Sequence, residues 1–382
     1  MTLTPNRYLS LDVFRGMDVA LMIVVNSLGS TNTYSPLLHA DWHGFTLTDL
    51  VFPTFLFVVG NAMSFSQEKY EAAGEGSFLT KVLKRTLIIF LLGYLMYWFP
   101  FVTQSETGEW VFKPFETTRV FGVLQRIALC YGIASLVIHY FKIKGALLFS
   151  VLALILYRVI LFEFGDLTME GNAGTKLDLW LLGPNHLYHG EGVPFDPEGL
   201  LSTLPATVNV IAGYVAGLFL QRNGKNYETL AKLLMVGAVL LVMAAWWGLM
   251  FPINKKLWTS TYVLHTVGID LMVLAILVFI IEIAKLNKWT YFFEVFGKNT
   301  LFIYLLSEVF VIMMWTLRVG DTSLYNWIYE NVFQSWAGDY NGSVLFALWV
   351  MLTCWGVGYW MDKKKNLCES LISKSWQLKF RI

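Results

Sequence analysis

Histidine is the side chain best suited to move a proton near neutral pH, and two of the six histidines share one short stretch. Leu38-His39-Ala40-Asp41-Trp42-His43-Gly44 leads directly into Leu47-Thr48-Asp49-Leu50-Val51-Phe52-Pro53. Two imidazoles, two aspartates and an indole this close together could orient a base and do proton chemistry. The same residues also suit an interfacial belt, with Trp42 at lipid headgroups and solvated neighbours. His186 and His189, in Gly183-Pro184-Asn185-His186-Leu187-Tyr188-His189-Gly190, lack a nearby carboxylate cluster. Cys130, Cys354 and Cys368 lack metal-type spacing and are odd in number. The expectation is therefore no metal site and no disulfide framework. His139 ends an apolar run as an interfacial anchor, and His265 begins another.

A second group of polar residues lies inside apolar runs: Asp12, Arg15, Asp18, Asn26, Asp49, Gln125, Arg126, Arg158, Asp270, Lys298, Asn299 and Glu308. A charge at mid-bilayer costs about 2.5–3.5 kcal/mol on insertion scales, so it faces a bundle interior or a wet cavity. One reading is internal pairing, Arg15 with a neighbouring aspartate and Arg126 with Asp49. The other is a shared role lining a polar central tunnel, because together they exceed what packing requires.

The elements that must position these residues are helices. The chain has 382 residues, 56% hydrophobic, 16% aromatic and 14% charged, with mean hydropathy +0.55. Soluble domains carry about 25% charged residues, so a disordered protein, a disulfide-rich secreted module and an ordinary cytosolic enzyme are excluded. With 28 basic against 27 acidic residues, no global field points to nucleic acid. Segments 11–28, 47–66, 81–100, 119–140, 145–163, 199–220, 230–251, 261–283, 297–317 and 342–361 each approach the ~20 residues a bilayer core requires. The fold expected is all-α: one polytopic integral membrane domain over residues 1–382, with about ten transmembrane helices. Charges interrupt the first segment, so it is retained rather than cleaved.

Lysine and arginine set the orientation. Loops 29–46, 101–118, 164–198, 252–260 and 318–341 hold only Lys113, Lys176, Lys255, Lys256 and Arg318, whereas the opposite loops and the tail 362–382 are basic. Both termini are thus expected in the cytoplasm. The long loop 164–198, punctuated by glycine and proline, is expected to act as a lid or acceptor-site element.

Several blocks in order resemble the heparan-α-glucosaminide N-acetyltransferase family of transmembrane acyltransferases. They are Ser10-Leu11-Asp12-Val13-Phe14-Arg15-Gly16, Asn26, His39-Ala40-Asp41-Trp42-His43-Gly44, Thr48-Asp49-Leu50-Val51-Phe52-Pro53 and Gly122-Val123-Leu124-Gln125-Arg126-Ile127. Asp196-Pro197-Glu198-Gly199-Leu200, Pro252-Ile253-Asn254-Lys255-Lys256-Leu257-Trp258-Thr259, and Gly297-Lys298-Asn299-Thr300 leading to Ser307-Glu308 continue the series. The resemblance implies that acetyl-CoA binds from the cytoplasmic side and that its acetyl group passes to a glucosamine amine on the far side. It makes His39 catalytic, with Asn26 in the same site, and it admits a homodimer. The family has bacterial members, and the resemblance makes the membrane a bacterial inner membrane. Two departures stand out: His43 replaces an asparagine of the animal enzymes, and the chain begins almost directly at its first span.

Under this resemblance His39, Asn26 and Asp49 are the catalytic candidates. Arg15, Gln125, Arg126, Lys298 and Asn299 are candidates for the donor, and Lys81, Lys84 and Arg85 either meet its phosphates or simply mark topology. Trp42, His43, Asp196, Glu198, Asn254, Trp258 and Glu308 are candidates for the acceptor, with Trp258 stacking on a sugar face. Asp196 and Glu198 read equally as a helix cap. His39 acts as a general base or carries the acetyl group covalently, and direct transfer is the favoured route. The competing functions are an N-acetylglucosamine permease and an acyltransferase for another glycan.

Overall fold

The computed structural model describes residues 8–72, 74–104 and 109–379. The side chains of the basic tail beyond Lys364, Cys368 among them, lie outside the described residues. Twelve α-helices carry the described chain: α1 Leu9–Asn26, α2 Leu47–Ala72, α3 Glu75–Trp98, α4 Val123–Phe164, α5 Ala173–Leu182, α6 Thr203–Asn223, α7 Tyr227–Gly248, α8 Ser260–Val278, α9 Thr290–Lys298, α10 Thr300–Thr316, α11 Leu324–Ile328 and α12 Ser335–Lys379. Two short antiparallel hairpins, Val102–Gln104 with Trp110–Phe112 and Arg318–Val319 with Thr322–Ser323, are the strands found among the described residues.

Helix covers every one of the ten predicted segments, but the boundaries and the span count differ. Among the described residues, six helices are long and apolar enough to cross a membrane, or seven if the α9–α10 pair, bent by 85°, is one span. Helix α1 carries Asp12, Arg15 and Asp18, and α3 carries Lys81, Lys84 and Arg85, which is more charge than a clean span holds. Segments 119–140 and 145–163 form one 42-residue element, α4. It breaks at Lys142, where φ is 54°. The two halves, about 19 and 22 residues, are each close to the length that crosses a hydrocarbon core of ~30 Å at 1.5 Å per residue. Helix α4 also starts at Val123, so Arg119 lies in the preceding loop rather than in a span.

The backbone divides into two compact units: His39–Lys285 with the described residues before Asp12, and Asp12–Leu38 with the chain from Leu286 onward. In the first unit, α2 lies against α6 at backbone distance. A Cβ on Gly60 would sit 1.9 Å from the Val210 carbonyl oxygen, and one on Gly213 1.8 Å from that of Phe57. Only glycine permits that approach, and it fixes α2, whose first turn carries Asp49. Helix α4 packs on α3 and α6, and α7 packs on α8. In the second unit α1 approaches α9 in the same way: a Cβ on Gly16 would fall 1.9 Å from the Phe293 carbonyl oxygen.

Candidate active site

Asp49 organises the start of α2. Thr46 precedes the helix and Asp49 lies three residues on, the spacing of a capping box. Asp49 Oδ2 accepts the Thr46 N–H (3.0 Å), the Thr46 hydroxyl (3.1 Å) and the Ala40 N–H (3.1 Å). This folds the loop back over the helix end and brings His39 within reach. Asp49 Oδ1 then lies 2.7 Å from His39 Nδ1. The carboxylate is 1% exposed and the imidazole 48%. The Asp49 carbonyl oxygen accepts from the Tyr262 hydroxyl at 2.6 Å, which ties α2 to α8.

The loop before α8 reaches the same place. Asn254 Oδ1 accepts the Leu257 N–H (2.8 Å), the Asn254 N–H donates to Thr259 Oγ1 (3.0 Å), and the Thr259 N–H returns to the Asn254 carbonyl (3.1 Å). That leaves Asn254 Nδ2 to donate to His43 Nδ1 at 3.2 Å. Burial pushes the His43 pKa down, favouring the neutral ring that such a bond requires. The same loop carries Lys255, with Nζ 3.1 Å from His39 Nδ1, 3.4 Å from Nε2 and 3.7 Å from Asp49 Oδ1. Burial lowers the Lys255 pKa, against the opposing pull of the Asp49 and Glu198 charges.

The long loop joins this cluster through Trp42 and Arg119. Trp42 Nε1 donates to the Leu167 carbonyl (2.9 Å), and its ring meets Phe195 edge to face. Arg119 grips Asp196 through Nε (2.9 Å) and Nη2 (2.6 Å), bonds Glu198 through Nη2 (2.5 Å) and Tyr97 OH through Nη1 (3.2 Å). Its guanidinium lies between the rings of Tyr97 and Tyr188. Burial works against the Glu198 carboxylate, yet the Arg119 and Arg126 charges hold it below the usual range, and the same contacts raise the Arg119 pKa despite its burial.

Several sequence expectations require correction. The Asp196 side chain is fully buried and bidentate with Arg119, so it offers no free oxygen to a sugar. Trp258 is 1% exposed: Arg126 covers its ring at 4.9 Å, its Nε1 bonds Asn209 Oδ1, and Phe52 and Tyr262 pack edge-on. It is core, not a sugar platform. Arg126 does not pair with Asp49. It donates to the Gly199 carbonyl (2.9 Å) and to Ser202 Oγ, and both it and Gln125 are fully buried, leaving a CoA phosphate no surface to touch. In the second unit Lys298 is held by Asp362 at 3.0 Å and stands over Tyr291, so its charge is already engaged. Arg15 donates to the Gly297 carbonyl and lies 3.6 Å from Asp12, the neighbour pairing that its spacing suggests.

Other candidates are located without being contradicted. Asn26 bonds the Glu308 carboxylate within the second unit, where Tyr304 does the same. Asn299 forms the corner between α9 and α10. Lys81, Lys84 and Arg85 are exposed on α3, with Arg85 over the Tyr131 ring. His186 and His189 bond backbone carbonyls of Thr118 and Leu187. His139 stacks on Phe78, and His265 meets Phe45 edge to face. No group of three or more potential metal ligands occurs among the described residues.

Two residues of this cluster were not among the site candidates drawn from the sequence. Lys255 stood in the block Pro252–Thr259 and as a cation in a loop poor in them, but no role was attached to it. Arg119 was hidden by the apolar residues after it, which drew it into a span.

Comparison with known proteins places this arrangement. Over residues 7–243, more than half the chain, the sequence matches the family model described as "Heparan-alpha-glucosaminide N-acetyltransferase, catalytic". It is 26% identical to the mouse heparan-alpha-glucosaminide N-acetyltransferase over 94% of this chain and 60% of that protein. It is also 26% identical to the human one, over 80% of this chain and 53% of that protein. The chain therefore spans under two thirds of the curated relatives it matches. The matched segment contains His39, Asp49, Arg119 and Glu198, and the chain belongs to the heparan-alpha-glucosaminide N-acetyltransferase catalytic family.

Proposed function

We propose that this protein is a membrane-embedded N-acetyltransferase. It moves the acetyl group of acetyl-CoA to the amine of a glucosamine-type sugar, with His39 as general base. The observation that carries the reading is the 2.7 Å bond between His39 Nδ1 and a buried carboxylate, in a chain of this family.

The chemistry follows from that bond. An ionised carboxylate only accepts, so His39 Nδ1 carries the hydrogen and Nε2 holds the lone pair; the tautomer is assigned from the hydrogen-bond network. A neutral sugar amine attacks the thioester carbonyl carbon and gives its proton to Nε2. The C–S bond breaks, sulfur leaves with the electron pair, and the imidazolium returns the proton to form CoA thiol. Asp49 orients the ring and stabilises the imidazolium, the role of the carboxylate in hydrolase triads. His43, held by Asn254, and the exposed edge of Glu198 offer polar contacts to the sugar, and Trp42 offers an aromatic surface.

The loop charge bias supports both termini in the cytoplasm and the His39 loop outside. A hydrocarbon layer of ~30 Å lets the nucleotide stay at the cytoplasmic mouth while the pantetheine arm reaches outward. Ten crossings fit this arrangement, with α4 divided at Lys142, where φ is positive, and the bent α9–α10 pair counted as one. The test is labelled acetyl transfer from acetyl-CoA to glucosamine by purified protein in detergent. Transfer that disappears in His39→Ala is expected; no transfer by the unmodified protein overturns the proposal.

A further inference from the structure

We infer that Lys255 is a self-acetylation site, because its amine lies within 3.4 Å of both ring nitrogens of His39. The inference rests on the acetyltransferase reading above. Nζ lies against the imidazole of His39, 3.1 Å from Nδ1 and 3.4 Å from Nε2, and a small shift of the lysine along the ring brings its amine into hydrogen-bond reach of the Nε2 lone pair, as general-base transfer requires. A primary amine is also the group that this reaction acylates.

The position is built rather than accidental. Lys255 follows Asn254, whose side chain and backbone are locked by Leu257 and Thr259, and it precedes the buried Trp258 at φ 52°. Its neighbour Lys256 is directed to Glu191 at 2.7 Å instead. The charged groups around Nζ are Asp49, Glu198 and Lys256. Burial lowers the Lys255 pKa, which favours the neutral, nucleophilic amine, whereas Lys232 pairs with Glu228 on the surface, away from the imidazole. The thioester itself needs no more room than for the sugar reaction.

The step balances without a further reactant. Neutral Nζ attacks the acetyl carbonyl carbon, and one Nζ proton passes to His39 Nε2. The C–S bond breaks, sulfur leaves with the pair and takes that proton as CoA thiol, and Lys255 remains as a neutral amide. That amide is bulkier than the amine and presses on the base. An enzyme holding donor without acceptor therefore shuts itself off, and a bound sugar protects it by displacing Nζ from the imidazole.

The test is peptide mass spectrometry of the full chain in detergent after incubation with acetyl-CoA alone. One acetyl group is expected on Lys255, in excess of Lys232 and Lys256, suppressed by saturating glucosamine. Its rate falls about 10²–10⁴-fold in His39→Ala, the usual worth of a general base. Transfer activity decays in parallel during the incubation, whereas in Lys255→Arg the same incubation leaves the variant's own rate unchanged. If glucosamine is acetylated and Lys255 is not, the inference falls and the acetyltransferase reading stands. Equal labelling of Lys232, or labelling that His39→Ala does not slow, also overturns it. If neither amine is acetylated, both readings fall. Sugar protection is measured on the unmodified protein, so the test survives a variant that misfolds.

Discussion

Replacing Asp49 by asparagine discriminates an orienting carboxylate from a merely structural one. Three donors converge on Oδ2, from Ala40 and from the backbone and hydroxyl of Thr46. In Asp49→Asn the amide oxygen must stay there, since the opposite orientation turns an NH₂ group toward those donors. The NH₂ group is thereby forced to the Oδ1 position, 2.7 Å from His39 Nδ1. Two donors cannot share that line, so the ring adopts the other tautomer and Nε2 becomes a donor instead of a base. The loss expected is about 10²–10⁴-fold in acetyl transfer, the range for a general base and its orienting acid. Folding survives, because the capping bonds at Oδ2 persist. The assay is initial-rate transfer from acetyl-CoA to glucosamine, alongside thermal unfolding in the same detergent. A variant with an unchanged rate, or one whose loss is explained wholly by unfolding, refutes the reasoning.

Three further outcomes follow from the same contacts. Arg119→Ala leaves Asp196 and Glu198 buried without their cation, and removing one partner of such a pair costs roughly 3–5 kcal/mol; a markedly lowered melting temperature in detergent is expected, and an unchanged one contradicts the clamp. Trp258→Ala removes a buried ring and loses about 3–5 kcal/mol of stability, whereas a raised KM for the sugar at unchanged stability would restore the stacking role rejected above. Burial raises the Asp178 carboxyl from 3.8 to about 7, so the folded protein binds a proton that the unfolded chain has released. Stability therefore falls as pH rises from about 4 to 7 and levels off above, by at most about 4 kcal/mol at 1.36 kcal/mol per pKa unit. Asp178→Asn removes that slope, and a pH-stability curve identical to the parent's contradicts the assignment.

Hydropathy made the helices legible because lipid-facing and core-facing residues are both apolar, and each predicted segment is helical. The number of crossings was less legible, because charges in α1 and α3 and the 85° bend between α9 and α10 blur what counts as a span, whereas the breaks at Lys142 and Gly338 fall at polar gaps in the sequence. His39 and Asp49 were legible as chemistry because the loop between them is short enough for one capping carboxylate to hold both. Lys255 was not, since its contact with His39 joins positions 216 residues apart. Trp258 and Asp196 illustrate the converse problem. Their residue types suit a sugar, but a covering guanidinium claims each of them, and that claim is made by Arg126 and Arg119, from other parts of the chain.

The central claim is that His39 is the base for acetyl transfer to an amino sugar. Its most direct measurement is single-turnover transfer of labelled acetyl from acetyl-CoA to glucosamine by the unmodified protein and by His39→Ala, each shown to be folded in the same detergent. Rapid product formation is expected in the first and a rate about 10²–10⁴-fold lower in the second. Equal rates in the two proteins would contradict it.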